Sequence, residues 1–208
     1  MPTEKPVGRR SEQKATTYRR VLAAANDLLR RDGLAGFNAR AVAHAAGVAV
    51  GTVFVHFPTT TTLLEALLER HLHHALAEAM ATLQPGSLVD RLVHVCSKLI
   101  AAYHVEPALA RAYLQGTLFA PPSVLSTSRL AAFAQWFEHE RQAARTLHTS
   151  AEVAAELPAD VAFFGFFSLY AGALLASLRG DLEVSLAPSF LRRSLEQFFV
   201  ASSAWSSP

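Results

Sequence analysis

Cysteine occurs once, at Cys96, so no internal disulfide can brace the chain. A lone thiol fits a reducing compartment, and the expectation is a cytoplasmic protein. The apolar neighbours of Cys96 suit a small buried residue better than a nucleophile. Charge is sparse as well, 17% against 51% hydrophobic, which excludes a disordered chain. Alternating β-branched runs are almost missing while alanine and leucine dominate, so the fold class is all-α. There is no glycine-rich phosphate loop, no nucleophile elbow, and no His/Asp pair in register with a serine or with Cys96, which argues against an enzyme. Nine histidines do not make a metal site. His71 and His74 could share a helix face, but His73 intrudes and no acid or cysteine stands at a matching spacing. Neither metal nor cofactor is expected. The polar, basic beginning holds no signal-peptide core.

What is present concentrates in residues 38–64, NARAVAHAAGVAVGTVFVHFPTTTTLL. Asn38 is a good N-cap, since its side-chain oxygen can accept from the free donors of a first turn. A short helix follows to Ala46. Ala43 and Ala46 are small enough for a close helix crossing, and Gly47 permits the left-handed backbone of a tight turn. A second short amphipathic segment runs from Val50 to Phe57 before Pro58 stops it. Val42, Val48, Val53 and Phe57 can bury a miniature core, leaving Val50, Gly51, Thr52, Val55 and His56 near the outer face. That is a helix-turn-helix, whose second helix fits a major groove about 12 Å wide. An ordinary pair of short helices in an all-α domain has the same spacing.

Upstream, residues 18–33 place Val21, Leu22, Ala25, Leu28 and Leu29 at helical spacing and end in glycine. Followed by Phe37-Asn38, VAHAAGV, GTVFVHF and a Pro-Thr-rich start to the next helix, this ordered series resembles the DNA-binding domain of the tetracycline-repressor (TetR) family over about residues 17–68. The resemblance implies a double-stranded DNA operator as partner, read by Asn38, Arg40, Ala49, Val50, Gly51, Thr52, Phe54, His56 and Thr60. Departures stand beside the match. Phe54 replaces a tyrosine whose hydroxyl usually reaches a phosphate, Thr60 replaces a frequent lysine, and Ala49-Val50 replace a more polar opening. Fewer charged and hydrogen-bonding contacts should lower affinity or flatten its salt dependence.

Charge divides along the same line. Residues 1–57 hold nine Lys and Arg against four acids, a net of +5, and the remainder ten against thirteen, a net of −3. A basic head on a mildly acidic body suits a polyanion-binding module. Arg9, Arg10 and Lys14 cluster before the first helix, and residues 1–12 are expected to form a flexible basic arm able to track phosphates or reach a minor groove. For the first eight residues an expression remnant or a simple disordered tail fits equally well.

The domain plan is therefore the arm, a three-helix helix-turn-helix domain over residues 13–58, and a helical ligand-binding and dimerisation domain over residues 59–208, about nine helices in all. The four threonines from Thr59 offer caps for a helix to about Leu83, with Thr62 and Glu65 at capping-box spacing. Pro85-Gly86 ends it and Ser87 starts another to about His104. A shorter helix opens at Glu106-Pro107 and closes at Pro121-Pro122, and Ser123 begins a long one to about His148. Residues 161–178 are uncharged and approach the length of a membrane span, but two glycines, two serines and a tyrosine suit a helix buried on nearly every side, and no membrane partner is expected.

The resemblance implies that the last two long helices pair with those of a second copy. Gly165, Ala171, Gly172, Ala173 and Ala176, with Leu191, Leu195 and Phe198, are the expected homodimer interface. Two-fold symmetry would set two recognition helices roughly 34–36 Å apart. It also implies an effector site in the body. The aromatics there suit core packing, or the wall of an apolar cavity for a small uncharged effector, with Tyr103, His104, Tyr113, Phe119, Phe133, Trp136, Phe137 and Tyr170 as its expected lining. The expected function is a ligand-responsive transcriptional regulator, most simply a repressor. The alternative is a helical dimeric small-molecule-binding or interaction module with weak or lost operator specificity.

Overall fold

The computed structural model describes residues 8–117, 124–146 and 157–204. Among them are nine α-helices and no strand: α1 (Arg9–Asp32), α2 (Ala39–Ala46), α3 (Val50–His56), α4 (Thr60–Ala81), α5 (Leu88–Tyr103), α6 (Pro107–Thr117), α7 (Val124–Thr146), α8 (Ala159–Arg179) and α9 (Ala187–Ala204), the last entered by a 3₁₀ turn, Val184–Leu186. The all-α expectation and the helix count hold. Arg9 to Glu12 lie within α1, so the expected arm is helical over its last four residues.

Local chemistry sets the boundaries. Asn38 Oδ1 accepts from Ala41 N at 2.9 Å and caps α2. Gly47 closes α2 in the left-handed region at φ 61°, its N–H reaching the carbonyls of Ala43 and His44. The box that starts α4 pairs Thr59 with Thr62, each side chain bonded to the other's backbone N–H at 3.1 Å, in place of the Thr62/Glu65 pair expected from spacing. Thr59 is the extended residue, at φ −135°, so the cap belongs to it. Ser87 and Asp90 form the equivalent box at α5.

Two cores share helices. The head core gathers Val21, Ala25, Leu29, Val42, Val53 and Phe57 from α1 to α3. It is completed by Leu63, Leu67 and Leu68 of α4 and by Leu109 and Tyr113 of α6. The head therefore does not end at residue 58, because its apolar faces need α4 and α6 to leave water. The body core is built from α4 to α9, with Phe137 and Phe166 fully buried and stacked 4.9 Å apart. Leu72, Tyr103 and Leu114 pack against both cores.

Polar ties cross the body. Arg91 holds the buried Glu140 and joins α5 to α7. Arg192 Nη1 reaches Asp90 at 2.6 Å and joins α9 to α5; the Ser87 hydroxyl and this guanidinium hold the Asp90 carboxyl below its ordinary range. Burial pushes the Cys96 thiol well up, the state of an inert core residue.

Helix α8 is long and apolar enough to span a membrane, yet it buries Ala162, Phe163, Phe166, Tyr170, Ala173 and Leu174 in the subunit. Its composition suited burial on nearly every side, but in the single chain one side stays open: Val161 is 47% and Phe164 59% exposed, and Gly172 is exposed too. Among the described residues its packing is chiefly against α6, α7 and α9.

Candidate nucleic-acid interface and cavity

The candidate recognition surface is α3, carried on a buried frame. Val53 and Phe57 are sunk in the head core, 1% and 4% exposed, and fix the helix in rotation. Its other face then has to be outward. Gly51, Phe54 and Val55 are exposed, and Thr52 and His56 half-exposed. Ala49, the N-cap residue of α3, is exposed and supplies no capping side chain. Val50 is the exception among the expected contacts: it is half-buried against the head core, so only part of it is available to a groove.

A methyl group added at Gly51 would meet nothing within 4 Å. The fold does not need glycine there, and the bare position leaves room for close approach to the helix. Asn38 is spent as the α2 cap, with its amide nitrogen turned toward Gly36 O, and Arg40 stands exposed beside it. Thr60 is half-exposed at the first turn of α4, and Lys14 is exposed on α1. Of Arg9 and Arg10 only the helical backbone is described.

Sequence reasoning missed Tyr18. Its ring packs 4.9 Å from Phe57 and edge-on to His56 at 6.0 Å, holding the end of α3 against α1. Burial raises the phenol above its ordinary value, with Glu69 adding to the shift. The helical stripe it shares with Val21, Leu22 and Ala25 was the signal that could have found it.

In the body, an apolar cavity of about 430 Å³ lies between α4 to α8. Of the expected lining residues Tyr103, Tyr113, Phe133, Trp136 and Tyr170 border it. His104 and Phe137 do not. The His104 imidazole is tied to Ser177 Oγ at 2.9 Å, and Phe137 is turned into the core under Phe166. Phe119 lies outside the described residues. The lining that sequence reasoning missed comes chiefly from α4, where Leu72, His73, Leu76 and Met80 face the space. These look like any amphipathic stripe, and only the tertiary arrangement distinguishes them. Burial drives the Tyr170 phenol well above its ordinary value, so it stays neutral.

Tyr113 belongs both to the head core and to the cavity lining. The α4 helix makes the same connection on a larger scale, with Leu63, Leu67 and Leu68 in the head and Leu72, Leu76 and Met80 at the cavity.

The expected pairing surface is split by the structure. Ala173, Leu191 and Leu195 are each 0% exposed and belong to the subunit's own core, so they offer nothing to a second copy. Gly165 faces Phe198 of the same chain. Gly172 remains open, with nothing within 4 Å of an added methyl, and Ala171 and Ala176 are half-buried. Small residues permit close approach on whichever side a neighbour lies, and on α8 that neighbour is partly α9.

Residues 21–67 match the profile of the tetR family of bacterial regulatory proteins. The chain is 32% identical over 114 residues to the HTH-type transcriptional repressor KstR of Mycolicibacterium smegmatis, covering 54% of this chain and 56% of that protein. It is 31% identical over 117 residues to KstR of Mycobacterium tuberculosis, covering 56% and 53%. The chain thus spans about half the length of the curated relatives it matches. Its fold is that of a TetR transcriptional regulator from Rhodococcus sp. RHA1, at a TM-score of 0.66 and 24% identity, covering 90% of this chain and 98% of the other.

Proposed function

We propose that the chain, whose residues 21–67 match the tetR family of bacterial regulatory proteins, is a DNA-binding transcriptional repressor, acting as a homodimer, that a small uncharged or apolar effector releases from its operator. The observation that carries this reading is the sharing of α4 between the two cores. A helix with its first half in the DNA-reading head and its second half at a cavity transmits any change of cavity shape to the head. A ligand that binds the released conformation better by about 1–3 kcal/mol lowers operator affinity by about 5–150-fold.

The exposed stripe of α8, with Val161, Phe164 and Gly172, supports the second copy, since apolar side chains left in water on a long helix ask for a partner. The reading also puts the protein in the cytoplasm, with no membrane partner. Titration against duplexes of varied sequence at two salt concentrations tests it. One sequence bound far more tightly than the rest supports the regulator, and equal weak binding to all sinks it.

A second reading, a dimeric small-molecule-binding or interaction module with weak operator specificity, is favoured by the apolar surface of α3, where Phe54 is 45% and Val55 72% exposed. It predicts a dimer with a ligand and no specific footprint.

A further inference from the structure

We propose that Arg111 and His104 are positioning residues that fix the separation of the two DNA-reading heads in the dimer, by clasping α6 and the end of α5 to the last turn of α8. The proposal rests on the reading of the chain as a homodimer that meets its second copy on the open stripe of α8, and it adds the contact that ties each head to that stripe.

Helix α6 has two sides with different neighbours. Leu109 and Tyr113, four residues apart and so on one side, are buried in the head core. Arg111, midway between them in sequence, lies on the opposite side, and its Nη1 donates to the carbonyl of Leu178 on α8 at 3.2 Å. That carbonyl is left to accept, because the N–H groups of Gly180, Asp181 and Leu182 turn back on Ala176 and Ser177. A guanidinium there also meets the negative end of the helix dipole. Beside it the buried Ser177 hydroxyl donates to Leu174 O at 2.8 Å. Its oxygen therefore has to accept from Nε2–H of His104, 2.9 Å away at the C-cap of α5. Two ties thus hold the corner between α5 and α6 to consecutive residues of α8.

The path from a head to the second copy runs through this clasp. It leads from Leu109 and Tyr113 across α6 to α8, whose Val161, Phe164 and Gly172 stay open along the same helix. Neither clasp residue borders the cavity, whereas α4, the other helix under the head, does. An occupant then moves α4, and the clasp is the fixed point that α4 moves against. Operator half-sites lie at a set spacing, and one base pair changes it by about 3.4 Å, so little slack at the clasp is tolerable.

The test uses the full chain with a nitroxide label on Ala35→Cys, an exposed position between α1 and α2, the native Cys96 being fully buried. Pulsed double electron–electron resonance without DNA reads the distance between the two heads, and sedimentation reads the dimer. The unclasped variant, Arg111→Met with His104→Leu, should stay dimeric while its distance distribution broadens or its maximum moves by about 3 Å or more, close to one base-pair step. Arg111→Lys with His104→Gln, which keeps a donor at both places, should restore the narrow distribution. A duplex selected from a random pool by the unsubstituted chain should bind the unclasped variant at least about five-fold more weakly. An unchanged distribution in a dimeric unclasped variant, or one that stays as broad when both donors are kept, overturns the proposal. Absence of any dimer overturns it together with the homodimer reading. Arg111 is exposed, so Arg111→Met alone decides if the double variant fails to fold. Clasp-dependent distances in a protein that selects no duplex uphold the positioning role while defeating the repressor reading.

Discussion

A methyl group built on Gly165 of α8 would lie 2.1 Å from Cζ of Phe198 on α9, inside the ring's own van der Waals envelope. The glycine is the socket in which that ring sits, and it fixes how closely the two last helices approach.

Gly165→Ala should therefore destabilise the protein even though alanine is the better helix former by about 1 kcal/mol. Overpacking costs about 1–3 kcal/mol, and the ring must leave its place beside Phe199 to relieve it. With Phe198→Ala already present the sign should reverse, and Gly165→Ala should then stabilise by roughly 0.5–1 kcal/mol. Urea melts of the four proteins check this; no change of sign would mean that the contact does not set the packing.

His71 gives the molecule an acid-sensitive joint. Its Nε2 pairs with Asn26 Oδ1 at 3.0 Å, linking α4 to α1, while Nδ1 is buried without a partner. Burial, and then Arg70 and Arg30, hold the imidazole below its ordinary value of 6.5. The folded state thus prefers the neutral ring. As pH falls through 6.5 the unfolded chain takes up a proton that the folded one refuses, so this contribution to stability declines until the depressed folded value is passed. His71→Gln should remove that part of the loss between pH 7.5 and 5.5. Superimposable stability profiles for the two proteins would refute it.

Thr60, half-exposed at the start of α4, stands where the resembled family often has a phosphate-contacting lysine. Thr60→Lys should raise DNA affinity at low salt and steepen the slope of log K against log salt by about 0.9, the signature of one added phosphate contact. An unchanged slope would put residue 60 away from the backbone of the duplex.

Val55, 72% exposed on α3, and the open flank at Gly51 suit the methyl groups of thymines better than hydrogen-bonding base edges. Once a preferred duplex has been selected, replacing its thymines by deoxyuridine should weaken binding by about four-fold for each methyl that is buried, near 0.8 kcal/mol. Val55→Ala should blunt the difference. Equal affinity for both duplexes would leave recognition to other groups.

Features that depend on neighbours in sequence were legible, and those that depend on neighbours in space less so. Asn38, Gly47 and the buried Val53 and Phe57 follow from capping, handedness and helical period, each acting within a few residues. Four consecutive threonines can all cap, so spacing could not single out Thr59; only its extended backbone does. Tyr103, Tyr113, Phe133, Trp136 and Tyr170 were legible as aromatics on body helices, whereas Phe137 has the same pattern and turns inward. Ala173, Leu191 and Leu195 failed as surface residues because periodicity gives a helix its apolar face without saying which partner covers it. His104 was claimed by Ser177, 73 residues away.

The completion of the head core by Leu63, Leu67, Leu68, Leu109 and Tyr113 bears on how such a protein can be rebuilt. A head excised at Pro58 would carry a raw apolar underside into solvent, and limited proteolysis should not release a stable fragment there. A chimaera that transplants this DNA reader onto a different sensor has to bring the first turns of α4 and their footing on α6 with it. The functional seam of the molecule runs along the length of α4 and not across the loop before it.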